Sequence, residues 1–270
     1  MARVGYAVAV DTPDLFVTDA GDGPPVVLLH GLTATHRYVV MGSKALERAG
    51  HRVIAYDARG HGASTPADGY TYPELAADLR ALLDRHGLER AVLAGASMGA
   101  HTALRLALDA PRRVAGLVVI TPAAHPGAPP GLERWDRLAE GLRTGGVDGF
   151  VAAYGLDAVP ERWRATTEKV FRQRLGQHRH PEAVADALQQ VPRSQPYTLD
   201  ELRTIACPTV VVADRDDADP GHPLWIGEAY AELIPGASLV VEEDGKSPLA
   251  WQGGQLSRVI TELADRAWAA

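Results

Sequence analysis

The chain has 270 residues, with 27 Lys and Arg against 34 Asp and Glu for a formal charge of −7; 46% of it is hydrophobic and 23% charged. At roughly 150 residues per domain this length fits one large domain, or one domain carrying an insertion, and the apolar content excludes extensive disorder. The acidic balance, the lack of a clustered Lys/Arg stripe and the absence of any run near 18 apolar residues exclude nucleic-acid and membrane partners and make a cytoplasmic location the expectation.

Segments 4–10 and 15–18 alternate apolar and polar residues and suit an antiparallel hairpin at a sheet edge. Six short apolar runs, rich in Val, then recur at residues 26–29, 53–56, 91–94, 117–120, 209–213 and 238–241. Each has the length of a strand buried on both faces. Helical patterns alternate with them, at 36–49, 73–86, 98–108, 224–233 and 255–268. The helix near Pro73 announces its start, because Thr71 and Glu74 have the spacing of a capping box. Strands alternating with helices predict a mostly parallel sheet covered on both sides.

Between residues 121 and 201 the strands disappear, and helical stretches such as 134–142 and 181–190 take their place. A helical cap over residues 122–201, inserted into a core of residues 1–121 and 202–270, accounts for this and predicts a lid over the strand ends. Trp135, Phe150, Tyr154, Trp163 and Phe171 fall in it, as pocket lining or as its own core. His178-Arg179-His180-Pro181 lacks the partners of a metal site and reads as a solvated connection. The lone Cys207, among apolar neighbours, reads as a buried, inert thiol.

Chemistry concentrates at strand ends. Gly95-Ala96-Ser97-Met98-Gly99 joins a strand to a helix, where small neighbours permit a tight bend that lifts the Ser97 hydroxyl above the sheet. The amide of Met98, at a helix N-terminus, then faces a developing oxyanion. His30-Gly31-Leu32-Thr33 ends the strand 26–29, and a bend there offers the amide of Leu32 as a second donor; the plainer alternative is an ordinary turn with His30 in the packing. Asp57-Ala58-Arg59-Gly60-His61-Gly62 reads as a charged loop held by an Asp–Arg pair.

Taken in order, these motifs, the inserted helices and the strand beginning Pro208-Thr209 resemble the α/β-hydrolase superfamily over nearly the whole chain. The resemblance implies an α/β-hydrolase fold with a serine nucleophile, an acid after the strand that follows the cap, a histidine after the last strand, and no cofactor or metal. The acid loop runs from Asp214 to Pro223. Counting from Pro208 makes Asp217 the acid, whereas Asp219 gives the family's Asp-Pro-x-x-Pro without a gap and is preferred.

The histidine breaks the pattern. Where the family reads Gly-His-x-Pro, this chain has Gly245-Lys246-Ser247-Pro248. Lys246 as the base needs its pKa lowered by about three pH units from about 10.4, in a dry pocket, while Glu242, Glu243 and Asp244 push it upward. Otherwise His222, directly after the acid loop, or His125, beyond the strand 117–120, supplies the base. The third alternative is a serine without a base, on a fold turned to ligand binding or non-hydrolytic chemistry. The expectation is a hydrolase of an ester, lactone or related carbonyl of a small apolar molecule. Ser97, Asp219 and His222 carry the reaction, Leu32 and Met98 hold the oxyanion, and His30 and Lys246 stand near the substrate.

Overall fold

The computed structural model describes residues 13–123, 131–215 and 219–269, so the alternating segment 4–10 lies outside it. Seven strands form one sheet in the order β1-β3-β2-β4-β5-β6-β7. They are β1 (Val17–Ala20), β2 (Pro25–Leu29), β3 (Arg52–Tyr56), β4 (Ala91–Ala96), β5 (Val114–Ile120), β6 (Thr209–Ala213) and β7 (Ser238–Val241). All neighbours pair in parallel except β1, which runs antiparallel along β3 at the edge.

Side chains alternate between the two faces of a strand, so a run that is apolar at every position feeds two cores. Val27, Leu29, Ile54, Leu93 and Val119 enter one, with α2 (Tyr72–Arg85), α3 (Met98–Asp109) and α8 (Leu224–Leu233). Val26, Leu28, Val53, Val92 and Val118 enter the other, with α1 (Ala45–Arg48) and α9 (Gly253–Ala269). This is the predicted α/β architecture. No helix among the described residues is long and apolar enough to cross a membrane.

At the start of α2, Glu74 accepts hydrogen bonds from the amide and hydroxyl of Thr71 at 2.8 and 2.7 Å. The predicted helix over 36–49 is broken instead. Met41 and Gly42 both take positive φ, 50° and 73°, and leave one short turn at His36–Tyr38 and the four-residue α1. A left-handed pair cannot continue a right-handed helix.

Between β5 and β6 the described residues form helices and no strand: α4 (Leu132–Tyr154), α5 (Glu161–Leu175), α6 (Pro181–Gln190) and the single turn α7 (Leu199–Leu202). Helix α4 bends back on itself at Gly146, whose φ is 58°. The two halves then meet so closely that a Cβ on Gly149 would lie 2.1 Å from the carbonyl oxygen of Gly141.

Two loops depart from the sequence expectation. The stretch at His178 is a clasp and not a solvated connection: its Nδ1 accepts from the amide of Gly62 at 2.8 Å, and its Nε2 faces the carbonyl of Thr33 at 3.3 Å. The loop after β3 is buried and contains no Asp57–Arg59 pair. Asp57 accepts from the amide and ring of His36 at 2.7 and 2.8 Å. Arg59 reaches into α2 and forks onto Asp78 at 2.7 and 2.8 Å, both side chains only 2% exposed. Cys207 is half-buried, and burial raises its thiol pKa.

Removing one half of a buried ion pair strands the other charge away from water, which costs about 3–5 kcal/mol. Urea denaturation of Asp78→Ala is expected to show a loss of that size. The double variant Arg59→Met/Asp78→Leu, which leaves no charge behind, recovers most of it.

Candidate active site

The C-terminal end of β4 turns into α3 through Ser97, whose φ of 52° and ψ of −112° no side chain adopts without strain. The glycines around it make the bend possible. A Cβ on Gly95 would lie 2.2 Å from the carbonyl oxygen of Gly99, and one on Gly99 would lie 2.3 Å from that of Leu29. The Ser97 amide donates to Ile120 of β5 at 2.9 Å, so the sheet fixes the turn from one side. Met98 begins α3, and amides in a first helical turn lack an intrahelical acceptor.

The loop after β2 lies against this bend. A Cβ on Gly31 would come within 3.4 Å of the Ser97 Cβ, so a glycine there brings the Gly31–Leu32 peptide close. His30 fixes that peptide. Its Nε2 accepts from the amide of Ala58 at 2.8 Å, which leaves Nδ1 as the donor to the carbonyl of Gly31, also at 2.8 Å. Burial, helped by the neighbouring His61, pulls the His30 pKa down to about 3, so the imidazole is neutral and this tautomer is held. Ring nitrogens of His61 lie 2.8 Å from the carbonyls of Arg59 and Leu32. His30 therefore stands behind the loop, 2% exposed, and does not face a ligand as expected; it acts through the peptide.

The loop after β6 supplies the other half of the site. Asp219, Pro220, Gly221 and His222 form a turn closed by a 3.0 Å bond from the amide of His222 to the carbonyl of Asp219. This turn aims both side chains at Ser97. Nδ1 of His222 lies 2.9 Å from Oδ2 of Asp219, and its Nε2 lies 3.0 Å from Oγ of Ser97. An ionised carboxylate only accepts, so Nδ1 carries the proton and Nε2 presents its lone pair to the serine hydroxyl. Burial lowers the His222 pKa, but the charge and hydrogen bond of Asp219 outweigh it and hold the imidazole above its ordinary value. Burial raises the pKa of Asp219 in turn, and His222, Arg174 and Arg134 outweigh that and keep it ionised.

The other sequence candidates fall elsewhere. Lys246 sits exposed on a turn after β7, its amide bonded to the carbonyl of Glu243 at 3.2 Å, and is not among the residues that line the cavity at Ser97. His125 and Asp217 lie outside the described residues. Among the described residues, no three His, Cys, Asp or Glu side chains gather as for a metal ion.

Ser97 and His222 open into a cavity of about 110 Å³, on the scale that holds one benzene-sized group. Of the two alternatives for the cap aromatics, Trp135, Phe150, Tyr154 and Phe171 line the cavity, the last three also packing on one another, whereas Trp163 does not line it and stacks edge-on against Trp251 at 6.5 Å. Sequence reasoning missed Trp251, Arg134 and Arg174 in the lining. Trp251 sits in the segment where a histidine was sought, and nothing in a single sequence separates a cavity arginine from a surface one. It also missed that Asp214, at the mouth of the same loop, is buried. Burial pushes its pKa up to about 7, and one of its oxygens accepts from the amide of Ala250 at 3.1 Å.

A family model described as alpha/beta hydrolase fold matches residues 24–252. Among solved structures, a thermophilic esterase from Thermogutta terrifontis is 31% identical, with 94% of each chain covered and a TM-score of 0.81. Est816, described as an N-acyl homoserine lactone degrading enzyme, is 28% identical, covering 96% of this chain and 97% of its own, with a TM-score of 0.72. A Variovorax paradoxus protein provisionally named carbamate hydrolase RutD is 34% identical over 73% of this chain and 75% of its own.

Two measurements check the geometry. In an NMR titration His222 is expected to release its proton above the ordinary imidazole value of about 6.5, and at a lower pH in Asp219→Asn, where burial and the Arg174 charge oppose protonation and only Asp214 favours it. Gly99→Ala is expected to destabilise the fold by about 1–3 kcal/mol or more in thermal melts, because its methyl group meets backbone that cannot yield.

Proposed function

The chain belongs to the alpha/beta hydrolase fold family, and from that premise we propose that it is a serine hydrolase acting on an ester, lactone or related carbonyl bond of a small, largely apolar molecule. The observation that carries the reading is the unbroken hydrogen-bonded row from Ser97 through His222 to Asp219. Relatives described as an esterase, a lactone-degrading enzyme and a carbamate hydrolase cleave acyl carbonyl bonds, which supports the reaction class.

In this reading Ser97 Oγ attacks the carbonyl carbon as its proton passes to Nε2 of His222. The Nδ1 proton stays shared with Asp219, which stabilises the imidazolium that forms. The carbonyl oxygen becomes an oxyanion between the amides of Leu32 and Met98. His222 then gives its proton to the leaving oxygen, and an acyl-serine remains. Water attacks that ester with its proton going to Nε2, and as the tetrahedral intermediate collapses His222 returns that proton to Oγ, releasing the free acid and Ser97. Protein side chains carry every proton transfer. The segment from α4 to α6 acts as the cap, and the aromatic wall from α4 and α5 keeps the reacting carbonyl in a site of low polarity. Lys246 takes no part.

A fluorophosphonate probe is expected to label the wild type and not Ser97→Ala; absence of labelling between about pH 6 and pH 10 would defeat the proposal. His222→Ala and Asp219→Asn are each expected to lower kcat by about 10²–10⁴-fold on a p-nitrophenyl ester, with Lys246→Ala unaffected. The free base is the active form, so kcat/KM falls as pH drops through the His222 pKa, with its midpoint above about 6.5.

A further inference from the structure

We propose that the cavity beside Ser97 binds a carboxylate of the substrate against the guanidinium groups of Arg174 and Arg134, so that the bond hydrolysed belongs to an anionic ester or lactone with an apolar middle. This deepens the hydrolase reading and rests on it.

The first observation is an unmatched charge. Several arginines are paired with carboxylates: Arg172, two residues earlier on the same helix, lies against Asp148 and Glu168, and Arg59, Arg113 and Arg193 have Asp78, Asp84 and Asp136. Arg174, which faces the cavity instead, has no carboxylate of the described residues within 4.0 Å. Its Nε is enclosed without any hydrogen-bond partner, and the group lies 5.7 Å from the Tyr38 ring. A donor of a charged group that is shut off from water and left unpaired is costly, and an anion entering the cavity would relieve that cost.

The second observation is Arg134, from α4, on the same wall. Its charge stands over the Tyr154 ring at 5.2 Å, and a Cβ on Gly221 would lie 3.6 Å from its Nη1 and Nη2. That places this head group against the backbone next to His222. Among the described residues, the cavity's charged lining is two guanidiniums and one carboxylate, and that carboxylate, Asp219, is already bonded to His222, which leaves one positive charge over among them. A planar guanidinium matches a carboxylate through two parallel hydrogen bonds, and the surrounding aromatic wall strengthens such a pair by excluding water. A purely supporting role, in which both arginines only keep Asp219 ionised, would treat neutral and anionic substrates alike, and this separates the two roles.

The test compares p-nitrophenyl hydrogen glutarate with its methyl-capped neutral counterpart. In the wild type the anionic ester is expected to have a kcat/KM at least about tenfold higher, mostly through KM. In Arg174→Gln that ratio is expected to fall toward one, with partial recovery in Arg174→Lys; a charged hydrogen bond accounts for about a tenfold to hundredfold effect. Arg134→Gln provides the same reading if Arg174→Gln does not fold. A wild-type ratio at or below one, or a ratio untouched by both substitutions, overturns the proposal. If neither ester is turned over and Ser97 is not labelled, it is the hydrolase reading that has failed. The anion site is then read by calorimetry on Ser97→Ala with 4-phenylbutyrate and 4-phenylbutyramide. Binding of the carboxylate at least about tenfold tighter supports it, and equal affinity refutes it.

Discussion

The imidazole of His222 is held at both nitrogens, by Asp219 on one side and Ser97 on the other, and the rest of the site is arranged around that double contact. It requires a serine side chain lifted off the sheet at a fixed height. That height comes from a strained backbone at Ser97, and the strain persists because glycines on both sides let α3 press against β2 and β4 with no room for a methyl group. It also requires an ionised carboxylate in a partly enclosed place. Nearby positive charge keeps Asp219 ionised against its own burial, and Asp219 in turn keeps the imidazole basic.

Support for the site comes from buried histidines that do no chemistry. The rings of His30, His61 and His178 stand in a row, with centroids 5.2 and 5.5 Å apart, and burial lowers the pKa of each. Their nitrogens engage backbone groups of the loops after β2 and β3, and His178 ties the turn between α5 and α6 to the same frame. A neutral imidazole used in this way is a rigid strut: in His30 and His178 one nitrogen donates and the other accepts, whereas both nitrogens of His61 face carbonyls and only one of them can donate. It fixes peptide planes, including the one that presents the Leu32 amide, as a flexible side chain would not.

The sheet was legible in the sequence because its central strands are buried on both faces and read as uninterrupted apolar runs; Thr209–Ala213 coincides with its predicted limits, as does the edge strand Ser238–Val241, although Ser238 and Leu239 are exposed. The bend at Ser97 was legible because only small residues fit beside it. Helix α5 was not, since it buries just Thr167 and Leu175 and so shows almost no apolar stripe. The break at Met41 and Gly42 escaped because a local change of handedness leaves hydrophobic spacing intact. Partners in space were the least legible: Arg59 finds Asp78 nineteen positions away, not its neighbour Asp57, and His178 finds Gly62 across 116 positions. Sequence spacing reports which face a residue occupies within its own element and carries no information on what another element brings to it. The partner of Ser97 was legible only as a choice among His222, His125 and Lys246, or no base at all, because the segment after β7 held no histidine.

Asp219 and His222 share one four-residue turn, whereas the fold family places the two groups on loops after different strands. The pair is thus assembled by local chain geometry as soon as that turn forms, and only the contact with Ser97, 125 positions distant, depends on tertiary docking. In the proposed reaction the stretch between β7 and α9 takes no part in proton transfer, so it is free to drift in sequence or to take on ligand contacts through Trp251, and the Asp219–His222 pair becomes a portable cassette that a single loop exchange would carry to another scaffold.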